Sequence, residues 1–152
     1  LWLRCDVQWV ERHPALGDFP HDGISGFQLM RLFSSGVPTV DFTPRDALTR
    51  KHFQPIVAGM SLIPWTEDAS RFNYALAYGA MLSECRLGAG RVLVCNLWAL
   101  DGIRRGFPEA GYLLDCLVTY AAAKAPETEL PALSTADAPA VFRIENQATA
   151  KP

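Results

Sequence analysis

No histidine follows His52, and none of the four cysteines, Cys5, Cys85, Cys95 and Cys116, belongs to a Cys-x-x-Cys pair. The first absence removes the late histidine that a cysteine–histidine hydrolase on an α/β fold would use as its base. The second removes the short ligand pairs of a zinc site, so no metal or other cofactor is expected. Each cysteine sits among apolar neighbours, the setting of a thiol acting as a small hydrophobe. No apolar run approaches the ~20 residues that span a bilayer. The net charge of −2 leaves no basic excess to displace counterions from nucleic acid, so neither membrane nor nucleic acid is an expected partner. The opening residues, LWLRCDVQWV, form no secretory signal and lack a methionine, so the chain is expected to be a piece of a longer polypeptide. No internal repeat is visible.

What is present suits a folded domain. The hydrophobic share of 49% against 20% charged residues is that of a globular chain, and 152 residues can bury one ordinary core. The most informative stretch runs from Gly88 to Ala123. A Gly-x-Gly turn leads into the apolar run Val92-Leu93-Val94-Cys95, then a polar loop, then a helix with Ala110, Leu113, Leu114, Leu117, Val118 and Ala121 on one stripe. A strand without polar alternation reads as covered on both faces, as in a parallel or mixed sheet, and the striped helix reads as lying on that sheet. Leu93, Cys95, Leu114 and Leu117 are expected to be almost wholly buried.

Upstream, Leu1–Val10 reads as an opening strand or loop. The segment HPALGDFP (His13–Pro20) has two prolines and a glycine that forbid regular helix. Asp22 or Ser25 is a candidate cap for a short helix, Gly26–Phe33, with Phe27, Met30, Leu32 and Phe33 facing the sheet. Val37–Phe42 and Pro55–Ile63 read as strands, and Tyr74–Cys85 pairs with Arg91–Leu97 as a hairpin around the glycines of Arg86–Gly90. Residues 1–124 therefore form the α/β domain. Residues 125–152, rich in Ala and Pro, read as a tail in which only Val141–Ile144 offers an edge strand.

The chemistry-bearing residues are sparse. A glutamine amidotransferase needs a cysteine on a glycine-flanked elbow, and no cysteine here has that setting. A glycosidase needs two carboxylates ~5–10 Å apart. The candidates here are Asp18, Asp22, Asp41, Glu67, Asp68, Glu84, Asp101, Glu109 and Asp115, and nothing in the spacing selects a pair. Glu84, beside Cys85 in an apolar strand, is expected to pair with Arg91 across the hairpin at the surface. Asp101 and Arg104-Arg105 form a polar loop near the carboxyl end of a strand, where open α/β sheets bind ligands. His13 is expected to satisfy backbone carbonyls in its own loop. Of the four tryptophans, Trp65 and Trp98 border loops and are the aromatic faces open to a sugar ring or a neighbouring domain. No catalytic residue is assigned. The candidate ligand or interface contacts are His13, Trp65, Trp98, Asp101 and Arg104.

Three segments together resemble a known family. His13–Pro20 with the following Gly23–Leu32 stretch, then Pro55-Ile56-Val57, then Gly88-Ala89-Gly90-Arg91-Val92-Leu93-Val94-Cys95-Asn96-Leu97, are similar in order and pattern to an accessory domain of bacterial glycoside hydrolases related to family 2 β-galactosidases and β-glucuronidases. The resemblance covers roughly residues 10–123. Phe27 and Leu29 stand near positions where that family often has tryptophan, and Ile63-Pro64-Trp65 replaces a more polar stretch. The resemblance implies a three-layer flavodoxin-like sandwich of the class I glutamine amidotransferase-like fold, with the hairpin at one side of the sheet. It implies a non-catalytic role beside a catalytic domain of the same polypeptide, with carbohydrate and a second copy of the chain as further candidate partners. A free-standing amidotransferase-fold enzyme or a sugar-binding protein is the alternative. The bacterial source that it implies leaves periplasmic, secreted and cytoplasmic locations open.

Overall fold

The computed structural model describes residues 7–33, 40–41, 51–64, 74–123 and 130–141. Five strands form one sheet: β1 (Val7–Val10), β2 (Val40–Asp41), β3 (Phe53–Pro64), β4 (Tyr74–Leu87) and β5 (Gly90–Cys95). The order is β1-β3-β4-β2, and β5 pairs with β4 along the same edge as β2. Helix α1 (Phe27–Met30) is one turn, α2 (Ala99–Arg104) is short, α3 (Pro108–Ala122) is the main helix, and α4 (Ala138–Val141) is again one turn. The chain is an α/β domain.

All four ladders are antiparallel. The parallel ladders of a flavodoxin-like sandwich are not found among the described residues, which corrects the expectation of a parallel or mixed sheet. The β4–β5 hairpin closes through Gly88-Ala89, and Gly88 has φ +58°, which suits the first central position of a type II′ turn. The apolar run in β5 reflects partial cover on both sides. Leu93 leans on the core under α3, and Val92 and Val94 lean on a second core across the sheet. Leu117 is buried as expected, but Leu93 and Leu114 are half-buried and Cys95 is exposed, because β5 is flanked by β4 alone among the described strands.

A paired irregularity sets which face each residue takes. Pro55 faces Ser83, Val57 faces Leu82 and Ala58 faces Ala80, so Ile56 on β3 and Met81 on β4 are each an extra residue. The two bulges cancel in register. They also turn the consecutive pairs Ile56-Val57 and Met81-Leu82 into the same core, which strict alternation would have split between the two faces.

The first core lies between the sheet and α3. It takes Leu113, Leu117 and Tyr120 from the helix, Leu16 and Phe19 from the HPALGDFP segment, and Leu29 and Leu32 from α1 and its exit. Leu16 and Phe19 are buried and so pin this segment to the core, and its residues Pro14–Leu16 form a 3-10 turn. Met30 is 46% exposed, contrary to expectation, because a helix of one turn buries only the pair spaced by three, Leu29 and Leu32. Neither Asp22 nor Ser25 caps α1: Gly26 is its N-cap, and the Ser25 hydroxyl donates instead to Gln8 Oε1 at 2.6 Å.

The second core, on the opposite face, holds Phe53, Ala58, Ala80, Cys85 and Leu133. Leu133 comes from the region read as a tail. Residues 130–141 pack on the sheet, with Leu133 1% exposed, bridging in parallel to Leu87 and donating its N–H to the Arg86 carbonyl at 2.7 Å. Val141 ends α4 rather than opening a strand, and Phe142–Ile144 lie outside the described residues.

Candidate functional site

Among the described residues the densest polar cluster is inside the molecule. Glu84 is on the helix-facing side of β4 and is 1% exposed. The Tyr120 hydroxyl, from the last turn of α3, donates to Glu84 Oε2 at 2.7 Å. Arg91 Nε lies 3.7 Å from Glu84 Oε1. The ladder sets Glu84 opposite Leu93 and Arg86 opposite Arg91, so the Glu84–Arg91 pair is the diagonal one, on one face of the hairpin. The expected pairing is therefore present, but it is buried rather than exposed, because α3 covers it.

Arg91 also serves the helix. Its Nη1 donates to the Tyr120 carbonyl at 3.1 Å, and its guanidinium carbon sits 3.9 Å over the Tyr120 ring. The last four carbonyls of a helix have no partner within it and carry partial negative charge, so a cation here is favourable. Nε and Nη2 of Arg91 are buried without a hydrogen-bond partner.

His13 completes the cluster. Its Nδ1 accepts from the Ala15 N–H at 3.2 Å, as the cap of the 3-10 turn. An accepting Nδ1 puts the proton of the neutral ring on Nε2, which faces Glu84 Oε2 at 3.6 Å. The ring meets Tyr120 edge-on, centroids 5.4 Å apart. Burial, aided by the Arg91 charge and opposed by Glu84, holds the His13 pKa below its ordinary 6.5. His13 serves its own loop as expected, but it accepts from a backbone N–H rather than donating to a carbonyl, because its other nitrogen faces Glu84 across the fold.

This arrangement ties four separate pieces of chain together, and the hydroxyl and thiol near it are poorly set for nucleophilic chemistry. Burial and the neighbouring Glu84 push the Tyr120 pKa up to about 12, so its hydroxyl stays a donor. Cys85 packs in the opposite core, and burial followed by Glu84 raises its pKa to about 11. A thiol in that state is a weak nucleophile at neutral pH. Among the described residues no group of three or more His, Cys, Asp or Glu could hold a metal ion.

The surface candidates fall elsewhere. Trp98 precedes α2 and is 40% exposed, with the Arg105 guanidinium 5.3 Å over its ring. Asp101 and Arg104 lie in the helix α2 rather than in the expected polar loop. Arg105 Nε is 2.7 Å from Asp101 Oδ2, so Arg105 links Trp98 and Asp101, and Arg104 is exposed at the end of α2. Leu100 and Ile103, 65% and 42% exposed, stand between these polar groups. Trp65 lies outside the described residues. His13 instead borders an open depression of about 400 Å³ lined by Arg12, Asp18, Phe19 and His21 among others.

Tyr120 was not among the sequence candidates. Its signal is its position: it continues the Leu113–Leu117 stripe at the next helical spacing, and an aromatic with a polar tip on a buried stripe needs a buried acceptor.

An antiparallel sheet covered by helix on one side, with one buried polar cluster at Glu84, defines a small α/β domain. A family model described as "Domain of unknown function (DUF8487)" matches residues 6–137, and the chain belongs to that family. No curated protein and no solved structure matches it.

Proposed function

We propose that this chain is a non-catalytic accessory and interaction domain of a carbohydrate-degrading glycoside hydrolase of the β-galactosidase-like class, supporting the catalytic domain or an oligomer. The observation that carries the non-catalytic part is Glu84. Among the described residues it is the one buried carboxylate, 1% exposed and engaged by Tyr120, Arg91 and His13. A glycosidase carboxylate must reach a scissile bond, which that burial prevents. The glycoside hydrolase parentage rests on the HPALGDFP and GAGRVLVC motifs and on their order in the chain. The finer fold, a three-layer sandwich of the amidotransferase-like kind, belongs to the same proposal. The helix layer on one face and residues 130–141 on the other support its layering, while the antiparallel ladders do not supply its topology.

The interaction role draws on the α2 face. Trp98, Leu100 and Ile103 are large apolar side chains left in water on one short segment, the kind of patch that marks a contact with another surface. Carbohydrate binding is the second reading, favoured by the depression that Arg12, Asp18 and His21 border beside His13.

The purified chain is the test material. It should turn over neither glutamine nor aryl-glycosides. Hydrolysis that disappears on a single Cys→Ser or Asp→Asn change would overturn the non-catalytic role. A β-galactosidase-type catalytic barrel serves as the binding probe. Association with it, or of the chain with itself, should weaken at least tenfold in Leu100→Asp/Ile103→Asp, and no association in either assay sinks the interaction role.

A further inference from the structure

The second face of the sheet is covered by a short segment in a manner that resembles ligand binding more than core packing. Residues 130–141 touch it through few points. Among residues 130–139 Leu133 is the single fully buried side chain, and it enters the cluster of Phe53, Ala58, Ala80 and Cys85. Ser134 to Asp137 and Pro139 are exposed, and Leu130 and Ala138 are half-buried. Ala138 packs at the edge of the same cluster, and three polar contacts read backbone. His52 Nδ1–H donates to the Pro131 carbonyl at 3.0 Å, the Leu133 N–H donates to the Arg86 carbonyl at 2.7 Å, and Arg86 Nη1 reaches the Leu130 carbonyl at 3.5 Å. One anchor side chain in an apolar recess, with main-chain bonds at the anchor and at the residues just before it, is how a sheet recognises an extended peptide.

The segment is also shaped by itself. The Ser134 hydroxyl donates to Asp137 Oδ2 at 2.6 Å and accepts from the Asp137 N–H at 3.1 Å, which sets the turn into α4 without help from the sheet. A pre-shaped segment loses less entropy on docking. Six residues, 124–129, join it to the described end of α3, which lies on the opposite face.

We infer that this face is a peptide-docking groove whose ligand is an extended Leu-Pro-x-Leu-Ser segment, supplied in cis by residues 130–134 of the same chain and in trans by the same residues of a second copy. Leu133 supplies the apolar anchor, His52 reads the carbonyl two residues before it, and the Arg86 carbonyl sets the register. Docking in cis is intramolecular, so the groove is closed to competitors until the segment leaves. A free peptide then sees only the open fraction, and its apparent affinity falls by that fraction. This inference goes beyond the accessory role proposed above and does not depend on the glycoside hydrolase parentage.

The experiment uses the full chain and a fluorescein-labelled peptide of residues 130–141, followed by anisotropy. The peptide should bind the Leu133→Asp chain at least tenfold more tightly than the unaltered chain, because that substitution empties the groove. A labelled peptide carrying the same Leu→Asp change should bind neither chain. A second variant, with a protease site placed within 124–129, covers the case in which Leu133→Asp unfolds. After cleavage and dilution its melting temperature should fall, and added peptide should restore it. Failure of the peptide to bind either chain overturns the inference. So does a cleaved chain whose melting temperature added peptide does not restore, since the segment would then be ordinary core.

Discussion

The Tyr120 hydroxyl donates to Glu84 Oε2 at 2.7 Å, joining the last turn of α3 to the far half of β4, thirty-six residues away in the chain. Both groups are buried, so neither has water to fall back on. A hydrogen bond to a charged group contributes about 1.5–3 kcal/mol, and a buried acceptor left without its donor costs a similar amount. Tyr120→Phe should lower unfolding stability in urea by that amount, while Tyr112→Phe on the exposed side of the same helix should change it by less than ~0.5 kcal/mol. In a double-mutant cycle Tyr120→Phe and Glu84→Gln should be non-additive by about 0.5–3 kcal/mol. Additive losses would show that the two groups act separately.

The pH dependence of stability follows from His13. Its folded pKa lies below the ordinary 6.5, chiefly through burial, so in the window beneath 6.5 the unfolded chain binds the proton more readily than the folded one. The contribution of His13 is fully present above pH 6.5 and is lost as the pH falls through that window toward the folded value. Melting temperatures of the unaltered chain should therefore drop more steeply below pH 6.5 than those of His13→Gln. Parallel curves for the two proteins would remove His13 from the acid response.

Two helix glycines should respond in opposite directions. A Cβ on Gly102 in α2 would lie 2.7 Å from the Ala110 Cβ and 3.1 Å from Leu32 Cδ2, where α2 crosses α3. Gly102→Ala forces the two helices apart and should cost about 1–3 kcal/mol. Gly111 in α3 has nothing within 4 Å of such an atom, and Gly111→Ala should gain about 0.5–1 kcal/mol through helix propensity. Chemical denaturation of both variants checks the signs.

The HPALGDFP segment offers a contrast between core and rim. Phe19 is 3% exposed and stacks on Tyr112 with ring centroids 6.1 Å apart. Phe19→Ala should cost about 3–5 kcal/mol. Arg12, exposed at the rim of the depression, should cost less than ~0.5 kcal/mol when replaced by alanine. If carbohydrate binds in the depression, Arg12→Ala should instead reduce sugar affinity at unchanged stability, which calorimetric titration would detect.

The amino-acid sequence by itself determined the local elements. The β3, β4 and β5 strands, the α3 helix with Leu113 and Leu117 inward, the glycine turn at Gly88 and the packing of Leu16 and Phe19 follow from periodicity and turn chemistry, which act over a few residues. The tertiary structure alone decided the direction of the ladders, because apolar runs look alike in parallel and antiparallel sheets. It also decided the faces of Ile56 and Met81, since compensating bulges leave no mark on composition. Leu133 looked like part of a tail because one anchor among Ala, Pro and Thr carries no periodicity, and its partners Phe53 and Cys85 are some fifty to eighty residues earlier. Glu84 and Arg91 were legible as a pair from the hairpin, but their burial was not. That required α3 to fold back across the hairpin and bring Tyr120 to the carboxylate, a contact between distant segments that no local pattern encodes.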